Sequence, residues 1–253
     1  MNDSVPALST VGLCKNFGAL SVVIDVNFTL PHGCRHALIG PNGSGKTTLI
    51  NLIGGALAAT DGKVYLEGED ITGLTADKRV LRGLTRTFQI NTLFPRLTPI
   101  EAVTMVVCQR LGYGASLWRS LKRSHDAIDE AYTFLEQLHL AEDCDRPTAQ
   151  LAYGRQRLLE IALALAARPK VLLLDEPAAG VPQQQSGEIL SVISSLPSDI
   201  AVLFIEHDID LVFRFAERIT VLVAGRILCE GTPTEIAADP EVRRIYLGDE
   251  VHV

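Results

Sequence analysis

Residues 37–55 read ALIGPNGSGKTTLINLIGG, an apolar run that passes directly into glycines, one lysine and two threonines. Gly40, Gly45, Lys46 and Thr47 stand in the spacing GxxxxGK[ST], with a strand-like run before them and a helix-like run, about Lys46 to Gly54, after them. Glycine lacks a Cβ, so such a loop can curl and turn several backbone N–H groups toward one anion. The helix that follows adds the partial positive charge of its N-terminus. Lys46 then faces the β- and γ-phosphates of a nucleoside triphosphate, and the Thr47 hydroxyl ligates Mg²⁺. Asn42, Gly43, Ser44, Gly45, Lys46, Thr47 and Thr48 are the expected nucleotide-binding residues.

The rest of the chain fits a domain built around that loop. Its 253 residues suffice for a single large core, and 47% hydrophobic with 21% charged residues is a globular composition. A net charge of −7 argues against a surface made mainly for nucleic acid. No apolar run approaches the ~18 residues of a membrane-spanning helix, and MNDSVPALST lacks the basic start and apolar core of a signal peptide. A cytoplasmic chain is expected, unless a partner holds it at a membrane. Cys14, Cys34, Cys108, Cys144 and Cys229 are scattered and form no CxxC, so free thiols are expected.

Strands are expected at 9–17, 22–30, 34–40 and 62–68. Residues 97–140 read as helix-rich, with Thr98 and Glu101 spaced as a capping box and 112–124 as an irregular basic loop. A helix over 155–167 leads into VLLLDEP, a wholly apolar strand that ends in two acids. A helix near 183–195, the strand AVLFIEH, the helix DIDLVFRFAER, the strand ITVLVAG and two short C-terminal helices complete the pattern. Continuous apolar strands alternating with helices predict a parallel sheet covered on both faces.

KVLLLDEP supplies the second chemical element. Asp175 ends a buried strand, where a carboxylate can hold Mg²⁺ through its water shell. Glu176, one residue on, is placed to polarise an attacking water.

With QLAYGRQRLLEIALALAARP just upstream, these motifs resemble the ATP-binding-cassette (ABC) ATPases across nearly the whole chain. The resemblance implies an α/β P-loop NTPase cassette: a mixed sheet with an antiparallel β subdomain and a helical signature subdomain. One domain is expected over 1–253, with 1–90 and 168–253 as catalytic core and 91–167 as helical subdomain. It makes Leu151, Ala152, Tyr153, Gly154 and Arg155 the signature, which caps the γ-phosphate held by a second cassette. It assigns Phe17 to adenine stacking, Gln89 to Mg²⁺ and the attacking water, and His207 to the γ-phosphate. Glu176, His207 and Gln89 are thus the catalytic set, Thr47, Gln89 and Asp175 the metal ligands, and ATP and Mg²⁺ the cofactors.

Three departures stand out. Ala152 removes a serine hydroxyl, Tyr153 replaces a glycine, and Pro182 occupies the loop after Glu176, where an acid or Asn is usual. The phrases RTFQ, LFPRLT, LAYG, VLLLDEPAAG, IEHDIDLV and YLG resemble the ATPases of branched-chain amino acid importers, with urea and aromatic-acid systems close by. That branch implies integral permeases, a second ATPase chain and, indirectly, a periplasmic substrate-binding protein, at the cytoplasmic face of the inner membrane, with no nucleic acid. Residues 90–94 are the expected permease contact. A soluble ABC protein of translation or repair is disfavoured by the single cassette and the lack of a heptad run. A scaffold without turnover is disfavoured by Glu176 and His207.

Overall fold

The computed structural model describes residues 5–87, 93–113 and 121–247. Gln89 and residues 90–92, and with them most of the expected permease contact, lie outside the described residues. Two sheets organise the chain. The first is antiparallel, from strands β1 (Leu8–Phe17), β2 (Leu20–Leu30), β4 (Asp61–Leu66) and β5 (Glu69–Asp70), in the order β2-β1-β4-β5.

The second sheet contains β3 (Arg35–Ile39), β6 (Leu84–Arg86), β7 (Val171–Asp175), β8 (Ala201–Ile205), β9 (Arg218–Val223) and β10 (Arg226–Gly231), in the order β10-β9-β3-β8-β7-β6. Its strands run parallel except β10, which returns antiparallel beside β9. The strand order carries the phosphate-loop strand β3 into the middle of the sheet, next to β8, with β7 one place further out.

The helices are α1 (Lys46–Gly54), α2 (Ala76–Val80), α3 (Pro99–Arg110), α4 (Leu121–Gln137), α5 (Tyr153–Ala166), α6 (Gln183–Ser194), α7 (Ile209–Phe215), α8 (Pro233–Ala238) and α9 (Pro240–Leu247). The strand period of two divides the core between the faces. Leu172 and Leu174 join α3 to α7 on one side, while Val171 and Leu173 join α1 and the antiparallel sheet on the other. Both faces are covered, so the strands are apolar throughout, as a parallel sheet requires.

Two buried arginines satisfy carbonyls that would otherwise stand unpaired, one at a helix end and one in a loop. Arg79 donates to Leu52 O at 2.8 Å and Ile53 O at 2.5 Å at the C-terminus of α1, and also to Thr72 O and Leu74 O. Arg35 does the same beyond α6, donating to Ile200 O at 2.8 Å and also to Leu196 O.

Most expected elements are present, and α1 spans the expected residues. Thr98 and Glu101 form the reciprocal capping box. The five cysteines are free thiols. Several features differ from expectation. The loop expected over 112–124 gives way to helix at Leu121, where α4 begins. The helix expected to reach Arg218 stops at Phe215, because Glu217 N donates to Arg35 O and Arg218 already pairs in β9. The short strands β6 and β10 were not expected at all. β10 is half-exposed, and it forms because the positive-φ pair Ala224 and Gly225 turns the chain back onto β9. No helix among the described residues is long and apolar enough to cross a membrane.

Candidate functional site

The loop between β3 and α1 is held by close backbone approach. A Cβ on Gly40 would sit 2.1 Å from Leu222 O, and one on Gly45 2.7 Å from Val22 O. Only glycine fits at either place. Gly225 N donates to Ser44 O at 2.9 Å, and Ile24 N to Gly225 O at 2.8 Å, so the β9–β10 turn braces the loop against β2.

Lys46 folds back over this loop, its Nζ donating to Gly40 O at 2.8 Å and Pro41 O at 3.2 Å. Burial lowers its pKa, and the nearby carboxylates of Glu176 and Asp175 oppose that shift. The Ser44 hydroxyl is buried without a hydrogen-bond partner among the described residues. A loop of backbone N–H groups with an ammonium and an unpaired hydroxyl beside it is a fitted anion site.

A cavity of about 240 Å³ opens over it, lined by Val22, residues Asn42 to Thr48, Glu176 and His207. The structure therefore gathers the phosphate-loop residues with Glu176 and His207 at the carboxyl ends of β3, β7 and β8, where ligands bind in open α/β sheets. His207 Nε2 stands 2.6 Å from Glu176 Oε1. Glu176 holds a left-handed backbone, φ 51°, a conformation that costs on the order of 1 kcal/mol in a non-glycine residue.

Asp175 does not stand free. Arg86 Nη2 donates to its Oδ2 at 2.9 Å, and the other guanidinium nitrogen reaches Asn51 of α1. Burial pushes the Asp175 carboxyl up, and Arg86 pulls it down. Behind the His207–Glu176 pair lies Glu206, 5% exposed, whose Oε1 accepts from Ala178 N at 2.8 Å. Burial also raises its pKa, partly offset by the backbone donors.

The remaining expected residues lie elsewhere. Phe17 sits on the β1–β2 hairpin outside the cavity lining, 48% exposed, with Lys15 Nζ 5.1 Å from its ring centre. Leu151 is buried, Ala152 is the N-cap of α5, and Tyr153 begins that helix. Ala152, Gly154 and Arg155 line a separate cavity of about 230 Å³ with Glu188 of α6. Arg155 pairs with Asp143 at 3.4 Å and donates to His139 O, so its side chain is already engaged.

Tyr153 lies against Gly180 in the loop after Glu176, and its hydroxyl accepts from Arg157 at 3.1 Å. Below it, Arg157 pairs with buried Glu160 at 3.0 Å, and burial raises the Glu160 carboxyl to about 7. Pro182 caps the start of α6. Sequence reasoning overlooked Val22, Arg86 and Glu206; an acid closing the apolar strand 201–205 was the available signal for Glu206.

The donor set suits Mg²⁺. Among the described residues no cluster of three His, Cys, Asp or Glu side chains could hold a metal alone. One carboxylate, Asp175, and one hydroxyl, Thr47, completed by substrate phosphates, is the way this cation is usually held.

Comparison with known proteins agrees with this geometry. Residues 23–179 match the ABC transporter family, and residues 226–252 match the family described as branched-chain amino acid ATP-binding cassette transporter. The high-affinity branched-chain amino acid transport ATP-binding protein BraF of Pseudomonas aeruginosa is 38% identical, the match covering 97% of this chain and 99% of BraF. LivG of Escherichia coli, of the same description, is 39% identical with the same coverage. The crystal structure of the ADP conformation of MJ1267, an ATP-binding cassette of an ABC transporter, superposes with a TM-score of 0.82 at 32% identity, covering 96% of this chain and 99% of that one. A dimeric structure of the cassette MJ0796 in a post-hydrolysis state, bound to ADP and Pi, gives 0.74 at 26% identity, covering 89% of this chain and 98% of that one. A phosphate-binding loop, an acid pair at the end of β7 and full-length similarity to transport cassettes converge on one conclusion: the chain belongs to the ABC transporter family, as one of its ATP-binding cassettes.

Proposed function

We propose that this chain is the ATP-hydrolysing subunit of an importer for branched-chain amino acids, working as one half of a head-to-tail ATPase pair. The observation that carries the reading is the cavity in which Lys46, Glu176 and His207 face one another over the phosphate loop.

Within that reading the backbone N–H groups of 42–48 and the Lys46 ammonium bind the phosphates. Thr47, Asp175 and Gln89 hold Mg²⁺, which when bound neutralises charge on the phosphate oxygens. Glu176 orients and polarises the attacking water, while His207 holds Glu176 in place and contacts the γ-phosphate. Phe17 stacks on adenine.

The signature, residues 151–155, does not line the same chain's cavity. It is assigned to the phosphates of a second cassette, a copy or a paralogue, and MJ0796 provides a dimeric precedent. Segment 91–167 forms the helical subdomain that carries it. Phe94, 60% exposed beside the Gln89 segment, is the proposed contact for integral permeases. These permeases keep the chain at the cytoplasmic face of the inner membrane and receive cargo from a periplasmic binding protein. The names of BraF and LivG support branched-chain amino acids as that cargo.

The test is a pull-down of the tagged Glu176→Gln chain from detergent-solubilised membranes with ATP. Two polytopic permeases and an ATPase partner support the importer, and its binding protein is then titrated with leucine, urea and aromatic acids. Preference for urea or an aromatic acid replaces the cargo, and recovery of soluble proteins alone overturns the transport reading.

A further inference from the structure

Glu206 directly follows β8 and is almost fully buried, at 5% exposure, yet it forms no ion pair among the described residues. A buried carboxylate is costly unless its oxygens are bonded. Its bonds are to backbone. Oε1 accepts from Ala178 N at 2.8 Å, in the turn that follows Glu176, and Oε2 accepts from His207 N at 3.3 Å.

That turn needs a restraint. Glu176 is left-handed, its N–H donates to Ile205 O at 3.0 Å, and its carbonyl accepts from Ala179 N at 3.1 Å. Beside the turn lies a cavity of about 370 Å³ lined by Ala178, Ala179, Glu206, His207 and Leu211, among others. Side-chain packing therefore does not fix the turn on that flank, and the Glu206 carboxylate bridges it instead.

We infer that Glu206 is a positioning residue for hydrolysis, its two oxygens clamping the turn after Glu176 to the backbone of His207 and so fixing the 2.6 Å contact between those side chains. This rests on the hydrolytic reading proposed above. Glu206 does not line the cavity over the phosphate loop, so the clamp acts on turnover and leaves nucleotide binding alone.

Glu206→Gln keeps the shape but offers only one acceptor oxygen, and its amide NH₂ then faces a backbone N–H. In the full chain it is expected to lower kcat about ten-fold with the KM for ATP within about two-fold, since small misplacement of a general base is enough for such a loss. Glu206→Leu, with no acceptor, is expected to lower kcat about a hundred-fold. The ¹⁵N ring resonances of His207 are expected to move in Glu206→Gln while its Tm stays within about 3 °C of the wild type.

Turnover and His207 resonances unchanged in both variants overturn the inference. So does a Glu206→Gln chain whose Tm and ATP affinity fall in step with kcat, the pattern of a carboxylate needed only for folding. A wild-type chain without turnover when assembled with its ATPase partner and permeases overturns the proposed function itself, and the role of Glu206 with it; a wild-type assembly that turns over beside an equally active Glu206→Gln overturns the role of Glu206 alone.

Discussion

Arg86 donates to Asp175 across 2.9 Å and also reaches Asn51, so one guanidinium ties the strand before Gln89 both to the end of β7 and to the phosphate-loop helix. Both partners of the ion pair are mostly buried, with side-chain exposures of 21% and 14%. Removing Arg86 leaves a mostly buried Asp175 without this ion-pair partner. Arg86→Ala should cost about 1–3 kcal/mol in urea unfolding. The double variant Arg86→Ala/Asp175→Asn should recover part of that loss; strictly additive losses would show that the pair does not couple.

Among the described residues the hydrogen bonds of Lys46 Nζ go to two backbone carbonyls, so its removal matters little to the fold and much to an anion. Lys46→Ala should weaken ATP binding at least about a hundred-fold, through loss of charge-assisted contacts, with a Tm close to the wild type. Fluorescent nucleotide titration reads the first and thermal unfolding the second. Retained micromolar affinity would remove Lys46 from the phosphates.

Phe94 is exposed, whereas Leu93 packs partly against the core of the helical side. Phe94→Ala should therefore leave nucleotide affinity and stability within about 0.5 kcal/mol, as surface changes usually do. Co-purification with membrane partners should fall. Parallel loss of folding would make Phe94 a core residue.

His36 sits in the sheet with its Nε2 on Thr220 at 2.8 Å and its ring edge-on to Phe28. Burial lowers its pKa from 6.5 to about 4. The unfolded chain thus takes up a proton that the folded ring resists. The stability it supports is full above about pH 6.5 and is lost as pH falls toward 4, by about 3 kcal/mol in all. Glu160, raised to about 7, works with the opposite sign, its contribution fading as pH rises. A variant comparison isolates the histidine. His36→Phe leaves Thr220 bonded to Glu230 at 3.2 Å, and its stability deficit at pH 7.5 should shrink as the pH approaches 4.5. A deficit independent of pH would assign the slope to other groups.

Arg79 finishes α1 from beyond its C-terminus, and a cation there also meets the negative end of the helix. Arg79→Met should strand several carbonyls together and cost about 3–5 kcal/mol, read by urea unfolding. A loss under about 1 kcal/mol would mean water replaces the guanidinium without penalty.

The phosphate loop was legible because its requirement is local: glycines and a lysine between a strand and a helix state their own geometry. The strands 171–175 and 201–205 were legible for a similar reason, being apolar on both faces. What escaped were pairings set by topology. Arg86 meets Asp175 across 89 positions, and Ala178 meets Glu206 across 28. Neither partner carries a pattern that names the other. β10 escaped because its apolar residues Ile227, Leu228 and Cys229 run together without alternation, and α4 began early because its first turn is basic and was read as loop. The motif Leu151–Arg155 was found, but that Arg155 is spoken for by Asp143 and His139 depended on a fold no local pattern reveals.

The brace of the phosphate loop by Gly225 sets an order in time. Synthesis delivers Gly40 to Lys46 well before Leu222, against which Gly40 packs, and Gly225, which bonds Ser44. A ribosome-bound chain therefore carries the whole glycine motif long before the wall that shapes it. The loop acquires its final form only once β9 and its turn into β10 have emerged and folded onto it.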